Sequence, residues 1–184
     1  MYENLDAVLQ QKLSDVRLVV TDVDGVHTDD KVLLGIDSHG ERIEMYKFFT
    51  GDGIVVKECI RHNIPVALIS GRKSPAVKQR ADDLGAQCLQ GIVDKVLAIE
   101  ELLAELKLEW KHVLFIGNDI QDISLLRCAG FSATPADATS EARREAHYVA
   151  QKNGGDGAVR EVLQMLLDTK GLWKPILARQ RTLG

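Results

Sequence analysis

The 184-residue sequence predicts an α/β fold, a doubly wound and mainly parallel sheet with helices on both faces. Three observations point there. Short apolar runs alternate with longer amphipathic ones along most of the chain. The short runs are rich in Val, Ile and Leu and end in turn residues. Polar residues able to do chemistry follow the apolar runs rather than interrupting them.

In order, "RLVVT" (17–21), "PVALIS" (65–70), "AQCLQ" (86–90) and "HVLFIG" (112–117) read as strands. Residues 53–62, 74–84, 94–107 and 120–129 carry apolar positions at three-to-four spacing, which predicts helices. In the second of these Ser74 is placed to cap, Pro75 takes the first helical position, and Gly85 lies just past the end. "KVLLGIDSHGERIEMYKF" (31–48) breaks the rhythm. Two stretches flank the turn-like Asp37-Ser38-His39-Gly40, so an inserted β-hairpin is expected from about residue 30 to 48. Beyond residue 146 follow "HYVA", a Gly-rich loop "NGGDG", and a last helix at about 157–168. The tail, 170–184, contains Trp173 and Pro175 and reads as extended. With no internal repeat or low-complexity tract, 1–184 reads as one domain.

Strand-helix alternation implies right-handed crossovers, and ligands of such sheets bind at the carboxyl ends of the strands. Composition narrows the partners. Hydrophobic residues make up 45% and charged ones 27%, with a formal charge of -4 and no block of like charge. Neither a nucleic-acid footprint nor a polybasic membrane patch is present, and no apolar run reaches the ~20 residues of a spanning helix. An anionic substrate would need local cations or a metal. The start lacks a basic segment followed by an apolar core, so no signal peptide is read. Cys59, Cys88 and Cys128 are odd in number and far apart, as free thiols of a reducing compartment would be; a cytoplasmic location is expected.

The chemistry gathers after the strands. Asp22-x-Asp24-Gly25 follows the first. Carboxylates one residue apart reach a common ion only if the chain turns, which Gly25 permits. A hard cation would relieve their repulsion; an Asx-type turn ending the strand is the alternative. Ser70-Gly71-Arg72-Lys73 follows the second strand and suits a phosphate or carboxylate. Lys95 follows the third; by itself it reads as a solvated helix lysine. Gly117-Asn118-Asp119 and Asp122 follow the fourth, as part of a metal site or as a helix cap. Four such groups at one sheet edge make a common site the better explanation.

The stretches "TDVDGVHTD", "ISGRKSPAVKQRADDLG", "QGIVDK", "IGNDIQD" and "GGDGAVRE" resemble the four motifs of the haloacid dehalogenase superfamily, over nearly the whole chain. They are most similar to its small branch without a large cap domain, whose sheet is Rossmann-like. That branch includes 3-deoxy-D-manno-octulosonate 8-phosphate phosphatase, phosphatases of nine-carbon keto-sugar acid 9-phosphates, and the C-terminal domain of some CMP-sialic acid synthetases. "LEWKHVLFIGND" and "SATPADA" lean toward the last, "GRKSPAVKQR" toward the octulosonate enzyme.

The resemblance implies a Mg²⁺-dependent phosphatase acting on a small sugar-acid phosphate, octulosonate 8-phosphate first and a nonulosonate 9-phosphate second. Asp22 would be the nucleophile that forms an aspartyl-phosphate, and Asp24 the acid and then base. Ser70 and Lys95 would bind the phosphoryl oxygens. Asp22, Asp24 and Asn118 or Asp122 would hold Mg²⁺. Gly71, Arg72, Arg80, the stretch Thr50-Gly51-Asp52-Gly53 and Lys57 would contact substrate. Arg72 can grip a carboxylate as a two-pronged donor, and Arg80 lies roughly two helical turns on, so it is expected to face the same side. Gly51 stands where the octulosonate enzyme typically has Arg, and Asn118 where the family usually has Asp. His27, beside the first motif, is expected to line the entrance. A homotetramer is implied, with hairpins packed centrally and a neighbouring subunit covering each site; Val32, Leu33, Leu34, Ile36, Met45, Phe48 and Phe49 would be costly to leave in water. The rival readings are a non-catalytic oligomerisation module beside a cytidylyltransferase and a phosphoacceptor signalling domain, neither of which needs the full set of Asp22, Asp24, Ser70 and Lys95.

Overall fold

Leu18–Thr21, strand β1, is buried along its whole length, because the sheet around it is covered on both faces. The computed structural model describes residues 6–182. Helix α1 (Ala7–Ser14) leads into β1, and an antiparallel pair, β2 (Leu33–Ile36) and β3 (Arg42–Met45), follows it. Then come α2 (Thr50–Arg61), β4 (Val66–Ser70), α3 (Pro75–Leu84), β5 (Gln87–Gln90), α4 (Lys95–Leu106) and β6 (Val113–Ile116). The chain continues through α5 (Ile123–Cys128), β7 (Phe131–Thr134), α6 (Ser140–Glu145), β8 (Tyr148–Val149), α7 (Ala158–Thr169) and α8 (Trp173–Thr182).

The described residues form a parallel sheet of order β5-β4-β1-β6-β7-β8. The chain winds outward from β1 through β4 and β5, then crosses back to β6. Strand order therefore reverses at β1, where a doubly wound sheet opens a crevice at its carboxyl edge. Alternate residues feed two cores. Val19, Leu68, Leu114 and Ile116 face α1, α2, α3 and α7. Leu18, Val20, Ala67, Ile69 and Phe115 face α4, α5 and α6. Both sides being apolar, these strands read as continuous hydrophobic runs.

Local chemistry sets the ends as expected in the clearest case. Ser74 Oγ accepts from Val77 N, Pro75 opens α3, and Gly85 closes it at φ 72°. In the hairpin turn, Asp37 Oδ1 accepts from both His39 N and Glu41 N at 2.8 Å. Three expectations change. The helix expected at 53–62 starts at Thr50, and that at 120–129 divides into a tight turn at Ile120–Asp122 and α5. The tail is a helix, not extended. Pro175 falls in its first turn, where a missing N–H costs no hydrogen bond. Helix α8 docks through buried Ile176, through Trp173 at 6.0 Å from the Arg160 guanidinium, and through Arg179 Nη2 on Glu58 at 2.6 Å. Helices α1 and α6 and strand β7 had no expectation attached to them. Residues 183–184 lie outside the described residues.

Candidate active site

Strand β1 ends in a turn built by one carbonyl. Val26, His27 and Thr28 N–H groups all donate to Val23 O, and Gly25 takes φ 73°. A β-carbon on Gly25 would run into the Asn118 side-chain amide, so the first-strand turn and the β6 end can meet only with glycine here. Gly154 packs in the same way on the Gly25 carbonyl, and Gly155 N donates to Val26 O at 3.0 Å, so the "GGDG" loop braces the turn from behind.

Asp22 is 2% exposed and tied to β6 by its N–H on Ile116 O at 2.8 Å. Its Oδ1 accepts from Lys95 Nζ at 2.8 Å; its Oδ2 is buried with no hydrogen-bond partner. Lys95, at the start of α4, also donates to Asp122 Oδ1 at 2.7 Å. Burial pushes the Asp22 carboxyl up to about 7, with Asp122 adding and Lys95 opposing. Burial works against the Lys95 ammonium, but the two carboxylates outweigh it and raise its pKa. Half-buried Asp24 is also raised, first by burial; Asp30 and Glu44 add and Arg72 opposes.

Ser70, at the end of β4, accepts from Arg72 N through its Oγ at 3.1 Å. Arg72 Nη2 donates to Glu44 Oε2 on β3 at 3.0 Å. A cavity of about 240 Å³ opens over these groups, lined by Asp22, Asp24, Asp30, Val32, Ser70, Gly71, Arg72 and Gln121. Asn118 N donates to Asp122 Oδ2 at 3.0 Å, while Asn118 Oδ1 is buried without a partner. Two buried acceptor oxygens left unpaired, on Asp22 and Asn118, suit a hard cation. Among the described residues no three His, Cys, Asp or Glu side chains form a metal-holding group, so such a site would need the amide and main-chain oxygens. Asp122 departs from its expected part as a metal ligand. Both its oxygens serve protein donors, Lys95 on one and the Asn118 and Asp119 N–H groups on the other.

The second substrate stretch falls elsewhere. Asp52 Oδ1 caps α7 by accepting from Arg160 N at 2.9 Å, and burial pushes its carboxyl up to about 7 against that bond and the charges of Arg80 and Arg160. Gly51 O accepts from Arg160 Nη1 at 3.2 Å. Arg80 Nη2 donates to Phe49 O at 3.3 Å, and the guanidinium sits 5.4 Å from the Phe48 ring centroid. Gly53 lies against Leu84 and Arg80. Within the chain, then, Arg80 does not share the cavity of Arg72: its side chain turns to the Phe49 carbonyl at the start of α2. Thr50 lines a separate cavity of about 580 Å³ with Lys31, Lys47 and Asp156, and Lys57 is exposed. His27 does not line an entrance. It is 1% exposed, with Nε2 2.9 Å from Thr21 Oγ1, and burial followed by Arg80 lowers its pKa to about 3.

Glu44, Asp30 and Gln121 were not anticipated at the site. Their only sequence signal is position, in an insertion and in a turn beside recognised motifs. Among the described residues no helix is long and apolar enough to cross a membrane.

An acid pair after the central strand of a parallel sheet, with Ser, Lys and an amide after the flanking ones, defines a haloacid dehalogenase-like hydrolase, and residues 88–163 match that family. The chain is 39% identical over 158 residues to 3-deoxy-D-manno-octulosonate 8-phosphate phosphatase of Yersinia pestis, covering 85% of this chain and 82% of that one. It is 35% identical over 164 residues to the Haemophilus influenzae protein of the same name, with 89% of each covered. The structure of 3-deoxy-D-manno-octulosonate 8-phosphate phosphatase from Moraxella catarrhalis, in complex with magnesium ion, phosphate ion and a KDO molecule, aligns with a TM-score of 0.87 at 32% identity, covering 93% and 97% of the two chains. The chain belongs to the 3-deoxy-D-manno-octulosonate 8-phosphate phosphatase family.

Proposed function

We propose that this chain is a Mg²⁺-dependent phosphatase of keto-sugar acid phosphates, with 3-deoxy-D-manno-octulosonate 8-phosphate as its substrate. The observation that carries the reading is Asp22, buried at the floor of a cavity, one oxygen on Lys95 and the other unpaired, opposite Ser70 and Arg72. The relatives' names supply the substrate.

The Asp22 carboxylate attacks phosphorus as the bond to the sugar oxygen breaks, giving an aspartyl-phosphate. Lys95 favours the ionised form of that carboxylate against its burial. Asp24, whose burial favours the protonated form, gives its proton to the departing sugar oxygen. It then takes a proton from the water that attacks phosphorus, which frees phosphate and regenerates Asp22. Ser70 and Lys95 hold the phosphoryl oxygens as charge builds on them. Asp22, the Asp24 main-chain carbonyl and Asn118 would hold Mg²⁺, which would supply positive charge to offset that of the phosphate. Asp122 keeps Lys95 and the Asn118 backbone in place. Gly71 lets the chain pass close to the substrate, and Arg72 receives its carboxylate.

Thr50 and Lys57, exposed and away from the Asp22 cavity, then serve the site of a neighbouring subunit in a homotetramer, while Asp52 and Gly53, buried in their own chain, and Arg80 shape that surface. Support comes from the hairpin, where Leu33 and Leu34 are each 62% exposed, Ile36 69% and Met45 55%. A monomer would leave that apolar surface in water. The unpaired Cys59, Cys88 and Cys128 fit a cytoplasmic setting, and the chain is read as one domain.

The test is phosphate release with Mg²⁺ from a panel including octulosonate 8-phosphate and sialate 9-phosphate. Preference for the first supports the reading, and preference for the second transfers it to nonulosonates. Release from wild type no greater than from Asp22→Asn would overturn it in favour of a non-catalytic module.

A further inference from the structure

We propose that Glu44, on the hairpin strand β3, is a positioning residue that holds the Arg72 guanidinium over the cavity for the substrate's carboxylate. The proposal rests on the reading of Arg72 given above.

Three observations converge on it. Although β2 and β3 are otherwise mostly exposed, the Glu44 side chain is only 14% exposed, and its Oε2 accepts from Arg72 Nη2 at 3.0 Å. Arg72 itself is half-open, with 45% of its side chain exposed, and its guanidinium lies 6.0 Å from the Tyr46 ring centroid, two residues further along β3. At its root, Arg72 N donates to Ser70 Oγ. The long side chain is thus fixed at both ends, by β4 below and by the hairpin above.

Pairing puts Glu44 opposite Leu34, so Glu44, Tyr46 and Arg42 share one face of the hairpin; Leu33, Ile43 and Met45 share the other. The Glu44 face also bears Leu34 and Ile36, the residues opposite Glu44 and Arg42; it meets Arg72 through Glu44 and Tyr46. Within the Arg72 side chain, among the described residues, only Nη2 makes a hydrogen bond, which leaves Nη1, Nε and the second Nη2 hydrogen to donate to a carboxylate in the cavity. An arginine already held in one rotamer loses less freedom on gripping its ligand. Glu44 therefore acts on binding, through Arg72, without touching the reacting atoms.

The experiment compares Glu44→Ala, Glu44→Gln, Arg72→Ala and the double variant Glu44→Ala/Arg72→Ala with octulosonate 8-phosphate and Mg²⁺. Glu44→Ala should raise KM about fivefold with kcat within twofold, as expected for a partly exposed ion pair. Glu44→Gln should raise it less, and Glu44→Ala should add nothing in the Arg72→Ala background. Light scattering on each variant checks assembly. If Arg72→Ala raises KM but Glu44→Ala does not, the positioning role is overturned and the Arg72 reading stands. If Arg72→Ala leaves KM unchanged, the Arg72 reading falls, and the proposal with it. Equal loss in kcat with altered assembly, or additive losses in the double variant, would make Glu44 a structural residue and overturn the proposal.

Discussion

The Asn118 side-chain amide occupies the space that a β-carbon on Gly25 would need. Two loops that follow different strands are thus fitted to each other at a single glycine, and Gly25 also takes φ 73°. Gly25→Ala should lower stability by about 1–3 kcal/mol from backbone strain alone. Its activity should fall further than stability explains, because Asn118 must move. Denaturant melts and kcat on one preparation check this; an alanine variant with wild-type kcat would contradict the fit.

Asn118 Oδ1 is buried and unpaired. Asn118→Asp adds charge to the cation's acceptor set and should tighten Mg²⁺ binding, by about tenfold if charge count dominates. Titration calorimetry reads this directly, and an unchanged affinity would count against Asn118 as a ligand.

Lys95 lies between two buried carboxylates, at 2.8 Å from Asp22 and 2.7 Å from Asp122. Lys95→Met leaves both acids without their cation and should cost about 3–5 kcal/mol. Urea unfolding without Mg²⁺ measures the loss; a melt like that of wild type would show that the triad contributes little.

His27 is neutral in the fold because burial, with help from Arg80, lowers its pKa from 6.5 to about 3. Between those values the unfolded chain binds a proton that the folded chain does not. His27's contribution is therefore present above pH 6.5 and lost as pH falls from 6.5 toward 3. Asp52, raised to about 7, slopes the other way, losing stability as pH rises from 3.8 through 7. The difference between wild type and His27→Gln should isolate the first effect, with the variant less sensitive to acid. Parallel stability curves from pH 7 to 4 would refute it.

Leu33 pairs with Met45 on the hairpin face opposite Glu44. Replacing both with lysine should split the proposed tetramer of four 20.3 kDa chains, as read by light scattering. A wild type already running as a single chain would remove the need for that interface.

Much of the fold was legible because its signals are local. Ser74, Pro75 and Gly85 mark α3 through their own backbone preferences, and apolar runs mark strands whose two faces are both covered. Strand β7 was hidden because Ser132 and Thr134 are polar yet fully buried. Ser132 Oγ meets His147 Nδ1 at 2.8 Å, a partner far along the chain. Helix α8 departs from the extended tail expected at 170–184 because Pro175 falls in a first turn, where its missing N–H interrupts nothing.

At the site, the sequence by itself determined the chemical inventory, Asp22, Asp24, Ser70, Arg72, Lys95 and Asn118, since each follows an apolar run and a parallel sheet gathers such ends at one edge. Only the tertiary structure decided how those groups are employed. It commits both oxygens of Asp122 to protein donors, turns Arg80 to Phe49, buries His27, and brings Glu44 to Arg72 across 28 positions. Strand ends are set by short-range pattern, whereas side-chain pairing depends on distances that exist only once separate elements have packed.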